Sequence, residues 1–102
     1  MSPDMRKTIE EIRRIIEAHK EELTGEYHLK EIGIFGSYIR GEQKETSDAD
    51  ILVEFQCPIG LLEFVKLKNY LSELLGVNVD LVMKKALRPR IGQRILREVL
   101  NV

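Results

Sequence analysis

Asp48 and Asp50 stand at the entry to an apolar run, Ser47-Asp48-Ala49-Asp50-Ile51-Leu52-Val53. Aspartate disfavours strand interiors, so two of them leading into Ile, Leu and Val carry a local cost that a binding role would explain. If 49–55 is extended, side chains alternate, and two residues spaced two apart share a face. Carboxylates held side by side repel and call for a cation. Mg²⁺ suits them, because it prefers carboxylate oxygens and shares its remaining positions with substrate phosphates. A few residues earlier lies Gly36-Ser37-Tyr38-Ile39-Arg40-Gly41. Glycine admits close approach to the backbone, and a helix that follows offers N–H groups, which together suit a phosphate.

Periodicity supplies the frame for these two motifs. Ser2 reads as an N-cap with Pro3 at the first helical position, and Met5, Ile9, Ile12, Ile16 and Leu23 recur at helical spacing, so a helix is expected over 3–23, ended by Gly25. Glu10 and Arg14 are placed to pair on its wet face. Ile32 and Ile34 alternate within a first strand, 29–35. A short helix follows from Ser37 to near Gly41, then a polar loop over 42–46 and a second strand over 49–55. Pro58 and Gly60 interrupt the pattern. A long helix is expected over 61–75, with Leu61, Leu62, Val65, Leu71 and Leu74 inward and Gly76 as its cap. A third strand spans 77–83 and carries Asp80; Pro89 opens a last helix whose apolar face is Ile91, Ile95, Leu96, Val99 and Leu100. The pairing direction of the first two strands is open.

The chain has 102 residues, suited to a single domain able to bury about 65% of its unfolded surface. Hydrophobic residues at 43% and charged residues at 32% mark a globular chain. A net charge of −1 gives no reason to expect direct nucleic-acid binding. No apolar run is long enough for a membrane, and the N-terminus lacks a signal peptide's charged start. The single cysteine, Cys57, has no internal partner and is expected to be buried and inert, in keeping with a cytoplasmic setting. His19 and His28 have no companions at ligand spacing and read as structural or exposed. Tyr27, Tyr38 and Tyr70 read as packing residues.

The string Gly-Ser-x-x-Arg-Gly followed by Ser-Asp-x-Asp, with Asp80 in a later apolar strand, resembles the signature of the minimal nucleotidyltransferases of the DNA-polymerase-β-like superfamily. The resemblance implies an α+β fold, a small mixed sheet with helices on one side. It implies that Asp48 and Asp50 hold two Mg²⁺ ions about 3.5–4 Å apart, with Asp80 as the third carboxylate, beside the attacking group. Gly36 and Ser37 would receive the triphosphate of ATP, with Ser37 adding its hydroxyl. Arg40 would contact a phosphate or pair with a carboxylate to brace the loop, and Ser47 would play a supporting part. Lys84 and Lys85 would either neutralise a triphosphate or belong to a solvated basic face.

Larger relatives carry a second domain that grips the acceptor, and the residues after the third strand are too few for another core, so the grip is expected from another protein or subunit. Members of the family often act as antitoxins to HEPN-domain ribonucleases, transferring AMP from ATP to a tyrosine of the toxin. That is the function the resemblance implies here, as a cytoplasmic enzyme. Two rivals are an antitoxin that neutralises its partner by contact alone and an enzyme that adenylylates a small molecule such as an antibiotic. An exposed apolar face on the last helix would favour self-association.

Overall fold

The computed structural model describes residues 8–41 and 48–102. The expected Ser2 cap, the 42–46 loop and Ser47 therefore lie outside the described residues. The described residues form four strands and five helices. In chain order these are α1 (Ile9–Ala18), α2 (Lys20–Glu26), β1 (Leu29–Phe35), α3 (Ser37–Arg40), β2 (Ala49–Phe55), α4 (Leu61–Leu75), β3 (Val79–Met83), α5 (Pro89–Glu98) and β4 (Leu100–Asn101), with a 3-10 turn at Lys84–Ala86.

The first helix differs from its expected form. Thr8 is the N-cap of α1, its Oγ1 accepting from the Glu11 N–H at 3.2 Å. The helical path breaks at His19, whose backbone leaves the helical region (φ −112°, ψ 15°) and whose N–H meets the carbonyls of Ile16 and Glu17. The His19 Nδ1 lies 2.9 Å from the Ile15 carbonyl, so the ring helps satisfy the end of α1. Gly25 does not stop α2, which runs on to Glu26 with Tyr27 as its C-cap. The wet-face ion pair is Arg13 with Glu17 at 3.2 Å, where Glu10 with Arg14 was expected.

The sheet is mixed, in the order β3-β2-β1-β4. β1 and β2 are antiparallel, which settles the pairing the sequence left open. β2 and β3 are parallel, joined through α4, as a parallel pair needs a long crossover. One face buries Ile32, Ile34, Ala49, Ile51, Val53, Val79 and Leu81 against Ile12, Ile16 and Leu23 of the first two helices and Leu67, Leu71 and Leu75 of α4. The opposite parity, Phe35, Asp50 and Asp80, forms a row across three strands on the other face.

Three further expectations are corrected. The buried stripe of α4 is Leu67, Leu71 and Leu75; Leu61, Leu62 and Val65 are 79%, 69% and 40% exposed. The run Leu61-Leu62-Val65 sits in the first turns, before the helix reaches the core, so apolar character there does not report the inward face. The last helix ends at Glu98, and Leu100 pairs with Ile34 as part of an edge strand on β1, while Ile91 and Leu96 of the expected apolar face are exposed. Gly33 makes room for this strand: a Cβ there would come within 2.6 Å of Val99 Cγ2. Cys57 is exposed, because it falls just past the end of β2.

Tyr38 is buried, and Tyr27 stacks on Tyr70 with centroids 5.0 Å apart, as packing residues should. Truncating the buried stripe of α4 should therefore be costly and truncating its exposed turns should not. In urea denaturation, Leu71→Ala is expected to lose about 2–5 kcal/mol of stability, and Leu62→Ser to stay within about 0.5 kcal/mol of the parent.

Candidate active site

Three chain segments meet at one end of the sheet because of the strand directions. β1 ends at Phe35, so the Gly36 turn emerges where antiparallel β2 begins. β3 runs parallel to β2, so its first residues lie at that same end. Asp50 is opposite Phe35 on one side and Asp80 on the other.

Gly36 has φ +80° and ψ −146°, a region that side chains with a Cβ rarely enter. A Cβ on Gly36 would run into the Asp50 carboxylate, whose Cγ would lie 2.9 Å away. The glycine is thus required by the protein's own aspartate, whatever else approaches the turn. α3 starts directly after it, and the Gly36 carbonyl accepts from the N–H groups of Ile39 and Arg40 at 3.1 and 3.2 Å. Ser37 is the first residue of α3, half-buried at the mouth of the turn.

The carboxylates are crowded. Burial, the charges of Asp80 and Asp48, and a hydrogen bond shared with Asp80 push the Asp50 carboxyl up to about 6, against a smaller opposing pull from Arg40. Asp80 is exposed at the sheet end. Asp48 precedes β2, and its Oδ1 accepts from Asn78 Nδ2 at 3.1 Å. Asn78, the alternation partner of Asp80, was not singled out in the sequence. Among the described residues, no three carboxylates, imidazoles or thiols converge as a group that could hold a metal. Asp50 and Asp80 are brought together, while Asp48 is turned toward Asn78. Burial, and then the charge of Asp48, also push the Tyr38 hydroxyl up from its usual range.

Arg40 makes the carboxylate pairing that was one of its two expected roles. Its Nη1 donates to Glu98 at 3.2 and 3.4 Å, and Glu98 Oε1 also accepts from the Gly36 N–H at 3.0 Å. Glu98 was visible in the sequence only as the single acid after Asp80, among Lys84, Lys85, Arg88, Arg90, Arg94 and Arg97. α5 faces Phe35, Gly36, Arg40 and Asp50 across a cleft of about 340 Å³, which Ile91, Arg94, Ile95 and Glu98 line from its side. Lys84 and Lys85 lie elsewhere. They follow β3, about 13 Å along the strand from Asp80 at 3.3 Å per residue, and Lys84 pairs with Glu31 at 3.3 Å. Ser47 lies outside the described residues.

The Asp50–Asp80 pair thus lies beside a glycine turn and a guanidinium at one end of the sheet. Residues 9–101 match the family described as nucleotidyltransferase domain. The chain belongs to this nucleotidyltransferase family. It is 54% identical over 95 residues to the protein adenylyltransferase MntA of Thermococcus cleftensis, covering 93% of this chain and 96% of that protein. A solved structure assigned as a minimal nucleotidyltransferase is 37% identical, with a TM-score of 0.80 over 95% of this chain and 98% of that one. A solved toxin–antitoxin complex with AMP-PNP is 26% identical, with a TM-score of 0.70 over 88% of this chain and 70% of that one. The nucleotidyltransferase resemblance expected from Gly36, Ser37, Asp48, Asp50 and Asp80 thus holds for family and fold.

The crowding has a consequence for stability. The folded Asp50 carboxyl holds its proton up to about pH 6, whereas an unfolded aspartate releases it near 4. Between these values the folded state binds more protons, so stability falls as pH rises through the window, and the penalty is fully present above it. In metal-free buffer at pH 7.5, Asp50→Asn is expected to raise stability by about 1 kcal/mol, a figure reduced for solvent screening of a half-exposed group. At pH 4 the gain should vanish. Thermal melts of both proteins across pH 4–8 read this directly. Gly36→Ala is expected to lose about 1–3 kcal/mol through backbone strain and the clash with Asp50, measured by the same melts.

Proposed function

We propose that this nucleotidyltransferase transfers AMP from ATP to a tyrosine hydroxyl of a protein partner, a HEPN-domain toxin, and so acts as its antitoxin. The observation that carries this reading is the Asp50–Asp80 pair on adjacent strands, set against the Gly36 turn. The likeness to MntA, a protein adenylyltransferase, and to a toxin–antitoxin complex with AMP-PNP supports it.

The donor set fits magnesium in kind. All three candidate ligands are carboxylates, and a hard dication would offset the burial and like-charge repulsion that push the Asp50 carboxyl up. Asp48 would turn from Asn78 to join them. Bound there, two Mg²⁺ ions would neutralise the triphosphate and lower the pKa of the attacking hydroxyl.

The chain's own groups do the remaining work. The Ser37 hydroxyl and the first N–H groups of α3 would meet the phosphates; the Gly36 N–H is already engaged by Glu98. Arg40 would hold positive charge beside the donor. Asp80, exposed at the strand start, would take the phenol proton as the tyrosine oxygen attacks the α-phosphorus. The new bond is phosphorus to tyrosine oxygen, the broken one is the α–β phosphoanhydride, and pyrophosphate leaves. The partner would present its tyrosine to the open face.

Incubation with α-labelled ATP and Mg²⁺, with and without the protein encoded beside this one, tests the reading. Label is expected on the partner and lost with chelator; a tight complex that never takes up label would sink it. Asp80→Asn is expected to keep ATP affinity within about threefold while single-turnover transfer falls by about 10³-fold or more, since a group acting in the transition state leaves ground-state binding intact. Asp50→Asn should weaken both. Normal transfer by Asp80→Asn would remove Asp80 from the chemistry.

A further inference from the structure

Glu98 is the acid that α5 turns toward the site. The exposed bases Arg88, Arg90, Arg94 and Arg97 lie on its own helix or beside its start, yet Glu98 reaches across the fold to the Gly36 N–H and the Arg40 guanidinium. Its side chain is 23% exposed, so both bonds form in partly desolvated surroundings where a charge-assisted contact is stronger. One oxygen, Oε1, serves both donors, which ties the peptide plane before α3 to the last residue of α3.

The consequence reaches the carboxylates. Gly36 abuts Asp50, so the orientation of its peptide limits where the Asp50 carboxylate can sit. Arg40 is near enough to Asp50 for its charge to act there. Arg40 therefore stands between two acids in its electrostatic effect, paired with Glu98 and acting on Asp50.

We propose that Glu98 is a positioning residue for the donor nucleotide: it fixes the Gly36 peptide and aims the Arg40 guanidinium into the cleft between Asp50 and α5. This rests on the reading of that cleft as the ATP site. Its effect on the donor runs through Arg40. A carboxylate that only fastened α5 to the sheet would affect stability and leave donor binding alone. One that stood in for a phosphate would compete with ATP.

The test is calorimetric titration of ATP in Mg²⁺ with the full chain, alongside transfer kinetics. Glu98→Ala is expected to weaken ATP about tenfold and raise its KM equally, with kcat within about threefold, the pattern of lost ground-state binding. Glu98→Gln keeps an acceptor for both donors and should return affinity to within about threefold of the parent. Glu98→Ala combined with Arg40→Ala should bind no more weakly than Arg40→Ala alone, because coupled residues are not additive. Additive losses, unchanged affinity in Glu98→Ala, or tighter binding in it would each overturn the proposal. If melting shows that Glu98→Ala does not fold, Glu98→Asp replaces it, with an expected loss of about tenfold from its shorter reach; affinity within about threefold of the parent would again be fatal. A parent chain that itself fails to bind ATP in Mg²⁺ overturns the ATP-site reading and this proposal together. Binding by the parent with an unresponsive Glu98 overturns this proposal alone.

Discussion

Like charges on adjacent parallel strands set the terms of this structure. Asp50 and Asp80 face each other in register, with Asp48 close enough to add its field, and burial together with these charges pushes the Asp50 carboxyl up to about 6. Such a row is unfavourable in a free chain and can be held only by a sheet with a well-packed opposite face. The packing of Ile51, Val53, Val79 and Leu81 against α1, α2 and α4 supplies that support. Strain at the candidate site is thus carried by a conventional apolar core.

The same economy governs the turn. Gly36 is held in a conformation closed to other residues because the neighbouring strand brings an aspartate to its Cα. One glycine therefore serves both the close packing of the turn on β2 and the start of α3 directly after it. Glu98 and Arg40 extend this arrangement to α5, so the helix farthest along the chain forms the opposite wall of the cleft. Membership of the nucleotidyltransferase family agrees with this arrangement, and the likeness to MntA covers nearly all of the chain.

Among the described residues, large apolar side chains stay exposed at the start of α4 and on α5. Leu61, Leu62 and Ile91 would be poor choices for a helix that only faced water. Their exposure shows how far hydrophobic spacing departs from burial once a helix extends past the core it packs on.

What the sequence determined by itself is local and chemical. Alternation gave β1, β2 and β3 nearly to the residue, since a period of two is intrinsic to extended backbone. The Asp48-Ala49-Asp50 spacing and the Gly36-Ser37 pair were legible because they are local patterns, whereas the turn of Asp48 toward Asn78 was not. Tertiary structure decided the rest. The antiparallel pairing of β1 with β2 placed Gly36 against Asp50, and the parallel crossover placed Asp80 opposite it, because strand direction depends on which neighbours pair. The inward stripe of α4 followed the position of the core, which excluded Leu61 and Leu62. β4 was hidden because two residues carry too little period to read, although Gly33 recorded the close approach that β4 would need. The grip of Glu98 on the turn was beyond reach for the same reason: it joins residues 58 and 62 positions apart, and nothing along a single chain records which side chains meet across a fold.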